Sequence, residues 1–319
     1  MKQHGKMMIK LFVMKMLLFN LSIFLLCGSE VSAATTTYYH EYIEQAQYSF
    51  KKEYYLLSAQ QYDSAFVRWS GTKEHLYEAS RSWAYVGNKE KSYQYINKAI
   101  NKRFYEKDLL INDDRYKKAL GNKLFKKIII KLISEETKFH NGINDSLKSI
   151  LNHLYYIDQR VRKLVSIYAE KYPDSNHPQI RKLWSRIEFI DSVTTNDLIG
   201  IIENYGYPDV SLVGEEANHA ARIILNHSNL SVQEKYLPNL KESCQRGESD
   251  WDGYAYIFDR IRTKKKQKVM YGCSWYYNET RKTYTFIPED EHCINYYREQ
   301  VGLPPLKGYR SYENCSINK

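Results

Sequence analysis

The sequence lacks the short motifs that identify the common catalytic and cofactor sites. It contains no nucleophile elbow, no phosphate-binding loop, no HExxH pair and no paired metal-ligand spacing. It also lacks the signature of a nucleic-acid-binding fold, although its net charge is +10. These absences prevent the assignment of a reaction by motif. They predict a protein with no metal, no cofactor and no nucleic-acid partner.

Long hydrophobic runs are also missing. The apolar run from Met16 to Leu26 is too short to span a bilayer comfortably, and four lysines precede it. With small residues after it, the pattern is typical of an export signal over residues 1–34, cleaved after Ala33 or Ala34. A lipid anchor at Cys27 is the weaker alternative, because large residues precede this cysteine. The sequence therefore predicts an exported protein, periplasmic or extracellular, without a transmembrane segment in its mature chain.

Cysteine is scarce in the predicted mature chain, and every copy lies in its last 76 residues. The spacing of these cysteines matches no zinc motif, whereas an oxidising compartment favours one or two disulfides among them. Removal of four lysines and one glutamate with the signal would leave a net charge of +7. The four cysteines are Cys244, Cys273, Cys293 and Cys315.

Residues 37–133 contain a repeat with a period of 34 residues. Ala46 then aligns with Ser80, and Ser58 aligns with Ser92, so small residues coincide. The spacing resembles the tetratricopeptide repeat, in which small residues lie where two antiparallel helices touch. Residues 108–133 are predicted to cap the open end of the array. Such an array either binds a peptide or partner protein on its concave surface or serves as a spacer, and the sequence leaves both open.

A long helix is predicted from Leu147 to Tyr168, with one charged residue on its apolar stripe. Asp158 lies seven residues after Leu151 and seven before Val165, so its carboxylate is directed into the core. A buried carboxylate must be paired or protonated, and Arg162 is a suitable partner one turn later. Asp158 is therefore either a structural ion pair or a functional carboxylate.

The stretch from Tyr205 to His227 predicts a turn followed by a second helix with an inward polar residue. A Gly-Tyr-Pro turn ends the preceding helix, and an apolar stripe of small residues follows Gly214. His227 lies on that stripe, seven residues after Ala220, so its imidazole faces the packed side. This histidine is either a hydrogen-bonded core residue or a functional group.

The remaining sequence predicts further helices and a C-terminal hairpin. Separate helices are expected over residues 178–191 and 196–204, and a capping box at 231–234 predicts a helix that ends at Gly247. Residues 267–277 and 281–287 have the composition of a β-hairpin. The predicted fold class is mainly α. Tetratricopeptide-like helical hairpins at 37–133 are followed by a mostly helical α+β domain with a C-terminal β-hairpin at 145–310 and a tail at 311–319.

A family resemblance covers about residues 145–310. Its motifs, in order, are Asp158-Gln159, Gly206-Tyr207-Pro208, Ser211 to Gly214, His227, Gln233, Leu237-Pro238, Asp259-Arg260-Ile261, Gln267, Tyr271-Gly272, Arg298 and Val301 to Leu303. The ordered motifs resemble the uncharacterised bacterial family DUF6624, a resemblance that implies a domain and candidate positions but no chemistry. One departure is Cys273-Ser274, where members usually have Thr-Gln.

These positions supply the candidate site residues. Asp158, His227 and Asp259 are the catalytic candidates, because carboxylates and histidine perform general acid–base chemistry. The preferred interpretation is an exported module that binds a protein or peptide partner. The alternative is a hydrolase-like enzyme in which His227 is the acid or base and Asp158 or Asp259 orients it. The binding candidates are Gln159, Arg162, Gln233, Arg260, Gln267 and Tyr271.

Overall fold

The structure, a computed structural model, describes residues 38–172, 177–278, 283–309 and 315. Fourteen helices and two short strands occur within these residues, so the protein is mainly helical. The predicted export signal lies outside the described residues, as does most of the predicted tail. None of the helices in these ranges is long and apolar enough to cross a membrane.

The first four helices form two hairpins. The turn of the first hairpin places Glu53 in the left-handed region at φ 64°, and Gly87 occupies the equivalent place in the second at φ 90°. Asn88 then caps the next helix by accepting a hydrogen bond from Lys91 N at 3.0 Å. The helices are α1 (Tyr39–Lys51), α2 (Tyr55–Arg68), α3 (Lys73–Tyr85) and α4 (Lys89–Asn101).

The paired helices touch through the small residues of the repeat. In the first hairpin, Ser58 Oγ donates to the carbonyl oxygen of Ala46 at 2.8 Å. In the second, Ser80 Oγ donates to the carbonyl oxygen of Ser92, also at 2.8 Å. All four residues are buried, because only small side chains let two helix backbones approach this closely. The predicted contact of small residues is confirmed at both hairpins.

Three further helices follow the hairpins. They are α5 (Lys107–Ile111), α6 (Asp114–Leu120) and α7 (Asn122–Gly142). Leu110 and Tyr116 are buried in the same cluster as Leu76 and Ile96 of the second hairpin. These helices therefore close the end of the array, and α7 continues beyond residue 133 to Gly142.

The rest of the chain is built on long helices around one core. Asn144 caps the first of them by accepting from Leu147 N at 3.1 Å, and Gly206 (φ 80°) ends the second. The apolar stripe after Gly214 is fully buried, as predicted. The helices are α8 (Asp145–Lys171), α9 (Pro178–Tyr205), α10 (Val210–Val213), α11 (Glu215–His227), α12 (Leu230–Gln245), α13 (Trp251–Lys264) and α14 (Ile294–Gln300).

Two helix predictions were wrong. Residues 178–205 form one continuous helix instead of two, because Thr194 and Thr195 are buried against the core. The hydroxyl of Thr194 also bonds back to the carbonyl of Ile190 at 3.0 Å, which satisfies it within the helix. Helix α12 is capped by Asn229, whose side chain accepts from Val232 N at 3.0 Å, instead of by the predicted capping box.

The C-terminal β-structure is much shorter than the predicted hairpin. Within the described residues, strand β1 (Tyr276–Asn278) pairs antiparallel with β2 (Thr283–Thr285) over three residues on each side. Residues 267–275 are irregular apart from an isolated bridge between Val269 and Pro288. The long hairpin predicted over 267–277 and 281–287 is therefore not formed, because buried side chains from the helices hold the 270–273 loop.

Candidate functional site

Asp158 lies on α8 with a fully buried side chain. Arg162, one turn later, approaches Asp158 Oδ1 with Nη2 at 3.2 Å, which confirms the predicted pair. Gln159 donates from Nε2 to Asp158 Oδ2 at 2.7 Å. The inward carboxylate is thus surrounded by donors from its own helix.

His227 reaches the same carboxylate from α11. Its Nδ1 lies 2.9 Å from Asp158 Oδ1 and 3.1 Å from Oδ2. An ionised carboxylate can only accept, so the Nδ1 atom of His227 carries the hydrogen. In the neutral imidazole, Nε2 is then the unprotonated nitrogen. Nε2 forms no hydrogen bond with the described part of the chain and is not sealed from solvent.

Asp191 on α9 completes the cluster and was not predicted from the sequence. Arg162 Nη2 contacts Asp191 Oδ1 as well as Asp158, so one guanidinium bridges two carboxylates. Asp191 lies one turn after the buried Ile187. That inward periodicity is the signal that could have identified it.

The two carboxyl groups respond differently to this environment. Burial acts to raise the pKa of Asp158, but hydrogen bonds and charge from His227 and Arg162 outweigh it and lower the pKa. Burial raises the pKa of Asp191 above its usual value despite the opposing effect of Arg162. The site therefore favours the ionised form more strongly at Asp158 than at Asp191.

The cluster also contains possible metal ligands. Asp158, Asp191 and His227 could each offer one atom, and these atoms lie within 4.8 Å of one another. Arg162 already contacts both carboxylates. A divalent ion would have to displace this guanidinium, so the protein's own cation balances the carboxylates.

Asp259 lies in a different network. Its buried carboxylate accepts from the backbone N–H groups of Met270 (2.8 Å), Tyr271 (3.1 Å to Oδ2) and Cys273 (2.8 Å). Burial raises the pKa of Asp259, and these N–H groups oppose the rise. These hydrogen bonds hold the 270–273 loop in its conformation. Among the described residues, Asp259 forms no hydrogen bond with Asp158.

The other binding candidates are dispersed. Gln233 is buried and donates to the carbonyl oxygen of Asn226 at 2.6 Å, while its Oε1 has no partner among the described residues. Arg260 Nε is buried and likewise unpaired within those ranges. Gln267 is exposed, and Tyr271 is buried. Of the six binding candidates, only Gln159 and Arg162 join Asp158.

Two cavities are relevant to function, one in the repeat region and one in the region that follows it. One has a volume of about 600 Å³ and opens between α3 and the α5–α6 segment of the array. Its lining residues are Glu74, Tyr77, Glu78, Arg81, Phe104, Leu109, Asn112, Asp113 and Asp114. The other has about 470 Å³ and lies between α11, α13 and the segment around α14.

The cysteines form one disulfide among the described residues, between Cys293 and Cys315. Cys244 and Cys273 are free thiols. Burial raises the pKa of Cys244 to about 12 and that of Cys273 to about 11. Neither thiol is therefore ionised at neutral pH, which makes both poor nucleophiles.

Comparison with known proteins places this region in a family. The model of DUF6624, described as a family of unknown function, matches residues 147–316. No curated protein and no solved structure matches the chain. The match spans α8 to α14 and includes Asp158, Asp191, His227 and the 470 Å³ cavity. The chain therefore belongs to the DUF6624 family.

Proposed function

We propose that residues 37–133 form a tetratricopeptide-like array that binds an extended, basic segment of a partner protein. The observation that carries this proposal is the charge of the 600 Å³ groove. Four carboxylates and a single guanidinium line it, in a chain whose net charge is +10. A basic partner is thus attracted to the groove and repelled by much of the remaining surface. The acidic residues are Glu74, Glu78, Asp113 and Asp114.

Two of these carboxylates are held in place by neighbours. Glu78 Oε2 accepts from Tyr62 Oη at 2.6 Å. Asp113 Oδ2 accepts from Arg81 Nε at 2.8 Å, so its charge is largely balanced. Glu74 and Asp114 are exposed and have no ion-pair partner among the described residues. Their negative charges are therefore available to bind a basic ligand.

The apolar part of the groove suits the same partner. Tyr77, Phe104 and Leu109 line it beside the carboxylates. A lysine or arginine side chain can lay its methylene stem on such a surface while its charged end reaches an acid. This arrangement favours a basic segment over a purely apolar helix.

Export, with cleavage after residue 33 or 34, belongs to the same proposal. The disulfide between Cys293 and Cys315 supports it, because such bonds persist in oxidising compartments. Mass spectrometry of the protein recovered from its native cell would test it. A mature N-terminus at Ala34 or Thr35 is expected. A chain that retains Met1, or a lipid on Cys27, would contradict cleavage at this site.

Peptide binding can be tested with a matched charge control. A labelled short peptide of alternating lysine and serine should bind the full mature chain, as measured by fluorescence anisotropy, whereas its glutamate counterpart should not. Substitution of Glu74→Gln with Asp114→Asn prevents two exposed ion pairs with the lysines of the peptide and should weaken binding by about tenfold. Glu188→Gln with Asp197→Asn makes the same charge change on the exposed side of α9. Equal loss in both double variants would reject the groove as the binding site.

The geometry of Asp158 and His227 favours a second candidate function, a hydrolase-like acid–base site. A buried carboxylate fixes Nδ1 of the imidazole, and Nε2 remains open to solvent. This is the arrangement in which a histidine removes a proton from water or a hydroxyl group. Arg162 and Asp191 hold the carboxylate in position.

This second candidate has its own test. Hydrolysis of p-nitrophenyl acetate by the full chain should fall by roughly 10²–10⁴-fold in His227→Gln, the usual contribution of a general base. His153→Gln is the control, because His153 is an exposed histidine on α8. Circular dichroism establishes that both variants fold. A rate that is unchanged in His227→Gln would reject the acid–base site.

A further inference from the structure

We infer that the 470 Å³ cavity of the DUF6624 region binds a small organic carboxylate that carries an adjacent hydrogen-bond donor and an aliphatic group. This inference is independent of both functions proposed above. Helices α11 and α13, the 272–273 loop and the segment from α14 to Leu306 form its walls. The lining residues are Arg222, Ile223, Asn226, Asp252, Gly253, Tyr256, Ile257, Gly272, Cys273, Arg298, Leu303 and Leu306.

Arg298 is a buried cation without an anionic partner in the part of the chain that the structure describes. The residue is 7% exposed, and its Nε donates to the carbonyl oxygen of Pro304 at 2.6 Å. Its Nη1 donates to the carbonyl oxygen of Tyr271 at 2.5 Å and lies 3.6 Å from the Cys273 thiol. None of these groups is negatively charged. Within the described residues, Nη2 forms no hydrogen bond and the guanidinium no ion pair, so no carboxylate of this part of the chain balances its charge.

Arg222 adds a second cation, and its one ion pair among the described residues is long. Its Nη2 lies 2.8 Å from His219 Nδ1. Burial lowers the pKa of His219, and Arg222 lowers it further, so this histidine is a neutral acceptor. Asp252 lies 3.8 Å from Arg222 Nη1, and its side chain is 58% exposed. Two guanidiniums and one solvated carboxylate leave the cavity with a positive charge, which suits a bidentate carboxylate.

Asn226 specifies a donor next to that carboxylate. Its Oδ1 is buried and has no partner in the described part of the chain, although the residue lines the cavity. A buried acceptor is normally satisfied, and Asn226 lines the cavity, so a turn of its amide toward a ligand hydroxyl or amide N–H would supply the partner. The backbone carbonyl of Asn226 is already occupied by Gln233 Nε2.

The remaining walls accept carbon atoms. Ile223, Ile257, Leu303 and Leu306 face the cavity together with Tyr256. A pocket of this kind, largely apolar with a few converging polar groups, is typical of small-molecule sites. The same chemistry occurs in a free acid and in the C-terminal residue of a peptide, and the two sources can be separated by experiment.

Gly253 keeps Arg222 in the position that the cavity requires. A Cβ atom at residue 253 would overlap Arg222 Cδ, Nε and Nη1, so only glycine lets this side chain cross α13. Gly200 in α9 is a matched helical glycine, because a Cβ there meets no atom within 4 Å. Comparison of Gly253→Ala with Gly200→Ala therefore separates the displacement of the Arg222 side chain from the general effect of replacing a helical glycine by alanine.

The first experiment uses N-acetyl-L-leucine, which has the carboxylate, the amide N–H and the aliphatic group. Titration calorimetry with the full mature chain should detect binding, and N-acetyl-L-leucinamide should bind at least about tenfold more weakly, because it lacks the charge. N-acetyl-glycyl-glycyl-L-leucine distinguishes the sources. Equal or tighter binding of this peptide supports a peptide C-terminus, and weaker binding supports a free acid. Absence of N-acetyl-L-leucine binding at millimolar concentration, or equal binding of acid and amide, would overturn the inference.

Variants locate the site. Arg222→Gln should weaken binding of N-acetyl-L-leucine by about tenfold or more. Arg246→Gln makes the same charge change at a half-exposed arginine that bonds Asp209, and it should bind as the wild type does. Gly253→Ala should weaken binding, whereas Gly200→Ala should not. Wild-type affinity in both Arg222→Gln and Gly253→Ala would overturn the assignment to this cavity.

Discussion

Asp158 is the clearest case of a residue whose burial requires compensation. A carboxylate without solvent is unstable unless donors replace the water. Gln159, Arg162 and His227 supply these donors, and Arg162 is in turn held by Asp191. The cluster therefore behaves as one unit, because removal of any member leaves another charge without its partner.

Replacement of Asp158 by alanine should lower the free energy of unfolding by about 1–3 kcal/mol, since Arg162 and His227 would both lose this acceptor while Arg162 keeps Asp191. Urea unfolding followed by circular dichroism measures the change. Asp197→Ala, at an exposed position of α9, is the control and should leave the unfolding midpoint nearly unchanged. Similar losses in both variants would mean that burial of Asp158 has no special role.

The pH dependence of the same variant has a definite sign. His227 and Arg162, acting against burial, place the pKa of Asp158 below its unfolded value, so this carboxylate stabilises the fold above about pH 4. The stability difference between wild type and Asp158→Ala should shrink as the pH falls from about 4 through the folded pKa of Asp158. Asp259, whose pKa burial raises, should contribute the opposite slope near pH 4. A difference that grows on acidification would contradict this.

At the scale of the helix, periodicity predicted which residues face inward and tertiary contacts decided the rest. Asp158 and the stripe ending at His227 were placed correctly, because both depend on positions within one helix. The meeting of Asp158 with Asp191 depends on how α8 and α9 pack, so no local pattern specifies it. For the same reason, the conformation of residues 270–273 follows from Asp259, which lies outside that segment.

The array offers a prediction at this scale. Ser80 Oγ bonds the Ser92 carbonyl and lies 2.6 Å from Tyr116 Oη, which joins the second hairpin to α6. Ser80→Ala leaves these buried groups short of a partner and should lower the free energy of unfolding by about 1–3 kcal/mol. Ser166→Ala on α8 is the control, because its hydroxyl is exposed and the helix-propensity change is the same. Chemical unfolding of both variants tests the difference, and equal stabilities would exclude a structural role for the Ser80 bonds.

At the scale of the molecule, the array and the DUF6624 region are joined by specific contacts. The backbone N–H of Tyr39 donates to the buried carboxylate of Glu299 on α14 at 2.8 Å. Arg103, after α4, pairs with Glu248 at 3.1 Å, and both side chains are about four-fifths buried. The ring of Trp69 packs directly against Gly302, so closely that a Cβ atom at this position would overlap the ring. The start of the chain's helical array is thus attached to the last helix of the family region.

These contacts predict that the two regions unfold together. Differential scanning calorimetry of the full mature chain should give one transition with equal calorimetric and van't Hoff enthalpies. Glu299→Gln replaces the charged acceptor of the Tyr39 N–H with a neutral one and should lower the midpoint of that transition without dividing it. Glu170→Gln, at an exposed position of α8, is the control. Two resolved transitions in the wild type would mean that the array and the family region are energetically independent, and that the contacts at Glu299 and Glu248 do not couple them.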